Sequence, residues 1–284
     1  DAMQGFLAKV VEEHEKNRKG HIALYCYNCE YGCWTKEKSL RKRSLSSIIL
    51  PSSVMDSLVG DVRKFLDADT KGWFLKNFIP YKRTFLLHGP PGCGKSSLIT
   101  AVASEFDCSV CMMSLADPKL TDYALLSAMQ SVPKKSVLYF EDIDALFDTH
   151  REAKDTRVTF AGLLNALDGV GDPRGTVSFL TTNHKDHLDG ALVRPGRVDV
   201  HIELSYATDD QISRTFLRFY PEATAADRST FVSAVRKNGS KRVTMAQLQE
   251  HFIQHRLNPI ETAAREIHLG EATHEVSNGK MMWS

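Results

Sequence analysis

The spacing of apolar residues changes character along this chain, and the changes divide it into blocks. Residues 2–19 carry a narrow stripe, Phe6, Val10 and Val11, followed by charges and a stop at Gly20, which predicts a polar helix. Residues 21–35 (HIALYCYNCEYGCWT) are aromatic with a short period and predict a strand pair turning near Asn28 or Gly32. From Ser52, Val54, Leu58, Val62, Phe65 and Leu66 recur at helical spacing, with Pro51, Ser52 and Ser53 as the start signal. Beyond Arg83 short apolar runs alternate with amphipathic segments. Strands are predicted at residues 84–88, 109–113, 136–140 and 176–182. That alternation implies an α/β domain around a buried parallel sheet. After about Thr208 the strands stop, and helices are predicted over 208–219, 227–237, 244–255 and 259–268, ahead of a polar tail from Gly270.

Composition narrows this picture by exclusion. The chain has 284 residues, 42% of them hydrophobic and 25% charged, so wholesale disorder is ruled out. Lys and Arg total 36 against 35 Asp and Glu, a net charge of +1. The basic excess expected of a nucleic-acid binder is missing, and no nucleic-acid partner is expected. The charges are not evenly spread: Lys36 to Arg43 is a basic stretch, read as a solvated linker or, more sharply, as a contact for anionic lipid or a partner. No run of about 18 apolar residues offers a membrane span, and no signal-peptide pattern opens the chain. The first residue is Asp1, from which a fragment or processed form is expected. Six cysteines are far too few for a disulfide scaffold.

The strongest chemical signal is Gly89-Pro90-Pro91-Gly92-Cys93-Gly94-Lys95-Ser96, which fits the phosphate-binding pattern G-x-x-x-x-G-K-[ST]. It follows the apolar run Phe85-Leu86-Leu87 and opens a helical segment at Ser97-Leu98-Ile99. Glycines let backbone N–H groups ring the phosphates, and the helix N-terminus adds positive potential. Lys95 can reach the outer phosphates and Ser96 can coordinate Mg²⁺. The expected ligands are therefore ATP or ADP with Mg²⁺, held by Gly89, Gly92, Cys93, Gly94, Lys95, Ser96 and Ser97. Cys93 sits near a helix N-terminus, where thiol pKa values tend to fall; the simpler reading is a small residue that fits the loop.

Two further segments suit a phosphoryl-transfer site. The apolar run Val137–Phe140 ends in Glu141-Asp142-Ile143-Asp144, acids at the ligand-binding end of an open sheet. One carboxylate can hold the Mg²⁺ water shell and the next can polarise the attacking water. The run Val177–Leu180 ends in Thr181-Thr182-Asn183, where an amide can orient that water or sense the γ-phosphate. Leu192-Val193-Arg194-Pro195-Gly196-Arg197 then projects two arginines from a Pro-Gly turn, either as surface ion pairs or as charge stabilisers for a neighbour's nucleotide.

Taken in order, these segments resemble the AAA ATPases. The matching residues are GPPGCGKS at 89–96, EDID at 141–144, LLNALDGV at 163–170 and TTNHKDHLDGALVRPGRVD at 181–199, within a resemblance that covers roughly residues 45–255. A narrower likeness, to the mitochondrial BCS-type AAA chaperones, rests on Lys71-Gly72-Trp73-Phe74, Ile79-Pro80-Tyr81-Lys82-Arg83, the stretch Val158 to Gly169, and Phe216-Leu217-Arg218-Phe219-Tyr220-Pro221. The resemblance implies a core with a five-stranded parallel sheet over 51–208, a helical lid with tail over 209–284, and part of a β-rich middle domain over 1–50. It implies Glu141 at the Mg²⁺ position with Ser96, Asp142 activating water, Asn183 as a sensor, and Arg194 and Arg197 acting on the neighbouring subunit of a homo-oligomeric, heptameric ring. It further implies attachment to the inner mitochondrial membrane by a segment outside this chain. The family's work is moving a folded cargo, the Rieske iron–sulfur protein, during assembly of respiratory complex III. Other cargo, or a nucleotide-dependent scaffold with little turnover, are the alternatives.

Two departures from the general AAA pattern stand out. Most members read Asp-Glu where this chain reads Glu141-Asp142, as the BCS-type branch does. The loop Ser114-Leu115-Ala116-Asp117-Pro118-Lys119-Leu120 has neither the aromatic nor the glycine of threading unfoldases, which favours a folded cargo. Elsewhere, His21, Cys26, Cys29 and Cys33 are the right residue types for zinc. They crowd into predicted strands, where alternation points Cys26 and Cys29 to opposite faces. His184 and His187 read as residues of a helix start.

Overall fold

The computed structural model describes residues 20–146, 157–168, 175–237, 242–265, 267 and 269. The predicted helix over 2–19 and the polar tail lie outside the described residues. Two compact units are present, one running through Leu204 and one from Ser205.

The first unit is a seven-stranded sheet. Its strands are β1 (His21–Asn28), β2 (Cys33–Arg41), β3 (Lys82–His88), β4 (Ser109–Ser114), β5 (Ser136–Glu141), β6 (Thr176–Thr182) and β7 (Val200–Glu203). They lie in the order β2-β1-β4-β5-β6-β3-β7, and every neighbouring pair is parallel except β1–β2. The expected five-stranded parallel sheet is therefore too small: β1, β4, β5, β6, β3 and β7 all run parallel, and β2 adds a seventh, antiparallel strand. The predicted strand pair adds to it, because β1 buries Ile22 and Leu24 and pairs Leu24 with Val110, Tyr25 with Cys111 and Cys26 with Met112. The residues expected in a middle domain thus contribute a hairpin to this sheet.

The same hairpin corrects the reading of Lys36–Arg43 as a linker. Most of that stretch is β2, an edge strand whose lysines and arginine are largely exposed. Charges along an open edge discourage pairing with other chains. Strand β7 was not expected at all. Its four residues are too short for a periodic signal, and only pairing with β3 gives it strand form.

Helices cover both faces of the sheet. On one side lie α1 (Ser52–Leu66) and α3 (Lys95–Glu105), packed through Leu58, Val62, Phe65, Leu98, Ile99 and Val102. The short α2 (Ala68–Lys76) follows α1, and its Phe74 packs against the same cluster. On the other side α4 (Asp122–Gln130) and α5 (Phe160–Asp168) bury Leu125, Ala128, Leu163, Ala166 and Leu167. Strand β3 serves both layers by alternation: Phe85 and Leu87 face the first, Leu86 the second, all fully buried. Burying each such side chain contributes roughly 1.5–3 kcal/mol.

The second unit holds α6 (Asp209–Phe219), α7 (Ala225–Lys237), α8 (Met245–Gln254) and α9 (Ile260–Arg265). Thr208 and Thr244 each form a capping box with the glutamine three residues on, Gln211 and Gln247. Its centre is aromatic: Phe216 and Phe231 stack at 4.5 Å, with Phe252 beside them. Among the described residues of the chain, no helix is long and apolar enough to cross a membrane.

Candidate functional site

The carboxyl ends of β3, β5 and β6 converge on one patch, because a parallel sheet brings all its C-terminal strand ends to one edge. Strand β3 delivers the loop 89–94, and α3 begins at Lys95. The loop turns on glycines with left-handed backbones, Gly89 at φ 140°, Gly92 at 77° and Gly94 at 97°. At Gly89 the constraint is double, since an added Cβ would lie 2.0 Å from the Leu204 carbonyl oxygen.

Lys95 is buried, and its ammonium donates to the Gly89 carbonyl (2.6 Å), the Pro90 carbonyl (3.1 Å) and Asn183 Oδ1 (2.7 Å). Burial lowers its pKa, opposed by the negative charge of Asp142. Asn183 in turn donates from Nδ2 to Asp142 Oδ1 at 3.4 Å. The phosphate-loop lysine, the β6 tip and the β5 tip therefore form one hydrogen-bonded chain.

A second chain starts at Ser96. Its hydroxyl lies 2.9 Å from the Tyr139 hydroxyl, which donates to Glu141 Oε1 at 3.1 Å. Tyr139 and Glu141 are two apart on β5 and so share the face that α3 covers. Burial first, with the Glu141 charge adding, pushes the Tyr139 phenol up to about 12, so it stays protonated and remains a donor. Sequence reading treated Tyr139 only as an apolar strand residue. The available signal was its position two residues before Glu141.

Asp142 adopts φ 43°, unusual for a residue with a side chain, and its N–H donates to Thr181 Oγ1 at 3.1 Å. Asp142 is exposed as a residue, yet its carboxyl pKa is raised, by desolvation first and then by Asp144 and Glu141, with Lys95 opposing. Asp144 Oδ1 is buried without a hydrogen-bond partner. Three acids thus share this strand end, and the charge of Lys95 offsets those of Asp142 and Asp144.

The structure separates the two arginines. Arg197 forms a two-pronged pair with Asp168 at the end of α5 (2.7 and 2.9 Å) and donates to the Ala191 carbonyl at 2.8 Å. Asp168 also went unnoticed as a partner in the sequence. Arg194, three residues earlier on the same turn, is exposed. His184 and His187 stack at 4.8 Å in an exposed turn after Asn183. Cys93 is buried, and burial pushes its thiol up, outweighing the opposing charge of Lys95. Cys29 Sγ reaches Asp117 at 3.7 Å. Among the described residues no three His, Cys, Asp or Glu side chains gather as a metal-binding group.

The residues fit a magnesium nucleotide. Positive-φ glycines give the loop the backbone form from which phosphate-binding N–H nests are built, and oxygens of Ser96 and Glu141 flank a single phenol, a hard-oxygen donor set of the kind Mg²⁺ takes. The model of the ATPase family associated with various cellular activities (AAA) matches residues 85–206. The mitochondrial chaperone BCS1-like ATPase lid domain matches residues 209–268. This chain belongs to the AAA ATPases and carries a BCS1-like lid.

Relatives agree with that placement. The chain is 40% identical to the mitochondrial chaperone BCS1 of Homo sapiens over 228 residues, 78% of this chain and 54% of the relative. It is 42% identical to the same chaperone of Danio rerio over 77% of this chain and 54% of the relative. The probable mitochondrial chaperone bcs1 of Schizosaccharomyces pombe is 42% identical, over 77% of this chain and 48% of the relative. The chain spans about half the length of the curated relatives it matches. Within this AAA ATPase, then, the nucleotide pattern and the site geometry fall in the matched region, and the hairpin of β1 and β2 precedes the segment matched by the AAA model.

Proposed function

We propose that this chain is the ATP-hydrolysing part of a BCS1-type mitochondrial chaperone. The observation that supports this most is the joining of Lys95, Asn183 and Asp142 in one hydrogen-bonded chain at the ligand edge of the sheet. In this reading the loop from Gly89 to Gly94 and the first turn of α3, with Ser97, bind the phosphates of ATP or ADP. Lys95 moves its donors from the loop carbonyls to the outer phosphates. Ser96 and Glu141 would hold Mg²⁺, which neutralises charge on the outer phosphates when bound.

Asp142 accepts a proton from the attacking water, and Asn183 orients that water. The raised carboxyl pKa makes Asp142 a better base than an ordinary aspartate. Arg194 and Arg197 stabilise charge at a neighbouring subunit's nucleotide, so turnover requires a ring, heptameric by likeness to the family. Arg194 is exposed for this, whereas Arg197 must exchange Asp168 for phosphate.

The work done is movement of a folded protein, the Rieske iron–sulfur protein, across the inner mitochondrial membrane during complex III assembly. The segment Ser114–Leu120, without an aromatic or glycine grip, supports a folded cargo over a threaded one. The ring is held at the membrane by a segment outside this chain. Two measurements test the reading. Asp142→Asn should collapse phosphate release while ATP binding persists; unchanged turnover would show a nucleotide-dependent scaffold instead. In reconstituted inner-membrane vesicles, a cargo locked by internal cross-links should still cross, and passage of unfolded chains alone would overturn the folded-cargo assignment.

A further inference from the structure

The segment that leaves β2 grips the phosphate-loop helix, and the grip centres on Arg43. Its Nη1 donates to Ser97 Oγ at 2.9 Å, its Nε to Ser47 Oγ at 2.9 Å, and its backbone N–H to Ser104 Oγ at 3.0 Å. Ser97 and Ser104 are seven apart on α3 and therefore share one helix face. The preceding residue, Lys42, pairs with Asp107 at 2.8 Å just past the end of α3. At its other end the hairpin is tied to the segment after β4, where Glu30 pairs with Lys119 and Cys29 meets Asp117. Trp34 Nε1 also donates to the Ala128 carbonyl in α4 at 3.0 Å.

The charge of Arg43 is informative. Ser97 lies in the first turn of α3, where the helix dipole is positive. A guanidinium there opposes the dipole, and a polyphosphate in the adjacent loop turns that opposition into attraction. The fork geometry also matters, because a planar guanidinium can hold Ser97 and Ser47 at once, whereas an ammonium offers only a point charge.

We propose that Arg43 is a positioning residue for nucleotide binding. It holds Ser97 and the first turn of the phosphate-loop helix in place, and it couples nucleotide occupancy to the β1–β2 hairpin. This rests on the reading that residues 89–96 bind the phosphates. A structural clasp alone would lower stability but leave the affinity of the folded protein unchanged.

The test is steady-state ATP hydrolysis and ADP titration with the full-length protein. Losing a charged hydrogen-bond donor should raise the ATP KM of Arg43→Ala by about tenfold, with kcat within about twofold. Ser97→Ala should raise KM by about threefold, and the double variant should be no worse than Arg43→Ala, because both remove the same contact. Arg43→Lys should fall between wild type and alanine. Lys42→Ala, at the far end of the helix, should keep the wild-type KM. An unchanged KM in Arg43→Ala, a loss confined to kcat, or multiplying effects in the double variant would each overturn the proposal. If Arg43→Ala does not fold, Arg43→Gln carries the same expectations. Lys95→Ala run alongside separates the two readings: normal ATP binding there removes the phosphate-loop assignment, while lost binding with a silent Arg43 removes only this inference.

Discussion

The nucleotide edge of the sheet and the core of the lid are built on opposite principles. The lid follows local rules. Its helices are capped by Thr208 and Thr244, and its aromatic centre of Phe216, Phe231 and Phe252 is satisfied by packing alone. At the nucleotide edge those rules are broken together. Asp142 takes a left-handed backbone, Lys95 buries its charge, and three acids crowd one strand end. Strained backbone such as that at Asp142 costs of order 1–3 kcal/mol, and all three departures persist only where surrounding structure imposes them. The α/β unit can impose them because Phe85, Leu86, Leu87, Phe140 and Phe179 anchor the strands just below. The lesson is that stability and chemistry are carried by different residues, so each can be damaged separately.

That separation can be broken experimentally, beginning where the effect should be largest. Arg194→Ala should lower ring turnover by about 10³–10⁵-fold, roughly 4–7 kcal/mol of barrier, with little change in melting temperature. Mixed rings should lose activity more steeply than in proportion; a linear loss would show that the arginine does not act between subunits. Asp142→Asn should cost about 10²–10⁴ in kcat and leave the fold as stable or more so, checked by calorimetry.

The lid should respond the other way. Phe216→Ala should cost about 3–5 kcal/mol in denaturant unfolding of the lid, while loop and acid positions keep their geometry. Thr208→Ala removes one cap and should cost only about 1 kcal/mol by the same measurement. A catalytic defect in the Thr208 variant larger than its stability defect would sharpen the comparison by showing that the lid takes part in turnover.

Asp168 offers the smallest and most diagnostic test. Its pKa is held low by the hydrogen bond and charge of Arg197, so the folded pKa lies below the unfolded value. The pair therefore contributes stability above the unfolded pKa, near 3.9, and that contribution is lost as pH falls through the depressed folded value. Asp168→Asn should remove this acid-range dependence of melting temperature. It should also release Arg197, and a rise in mixed-ring sensitivity at Arg197 would show that the pair restrains it.

Much of the site was legible because its parts are contiguous. The loop 89–96 contains its own glycines, lysine and serine, and Glu141, Asp142 and Asn183 each end an apolar run. The four predicted strands match β3, β4, β5 and β6 to within two residues at either end, since buried parallel strands are continuous apolar runs. The lid helices were equally readable from their period, while their capping boxes at Thr208 and Thr244 were not read from the sequence. What escaped notice was non-local or too short. Tyr139 between Ser96 and Glu141, Asp168 against Arg197, and Arg43 on Ser97 join residues that are far apart in the chain. Strand β7 and the edge role of Lys36 to Arg41 depend on which strand lies alongside.

By itself, the sequence determined the α/β character, the helical lid, the phosphate loop and the order of acidic strand tip and amide-bearing strand tip. Each of these is written in adjacent residues and in the period of apolar positions. Only the tertiary structure decided that the first strand pair completes the sheet, that Arg197 is held by Asp168 while Arg194 is exposed, and that the hairpin's exit clasps the phosphate-loop helix. These depend on register and on which faces meet, and a hydrogen bond between distant residues leaves no period in the chain for a reader to find.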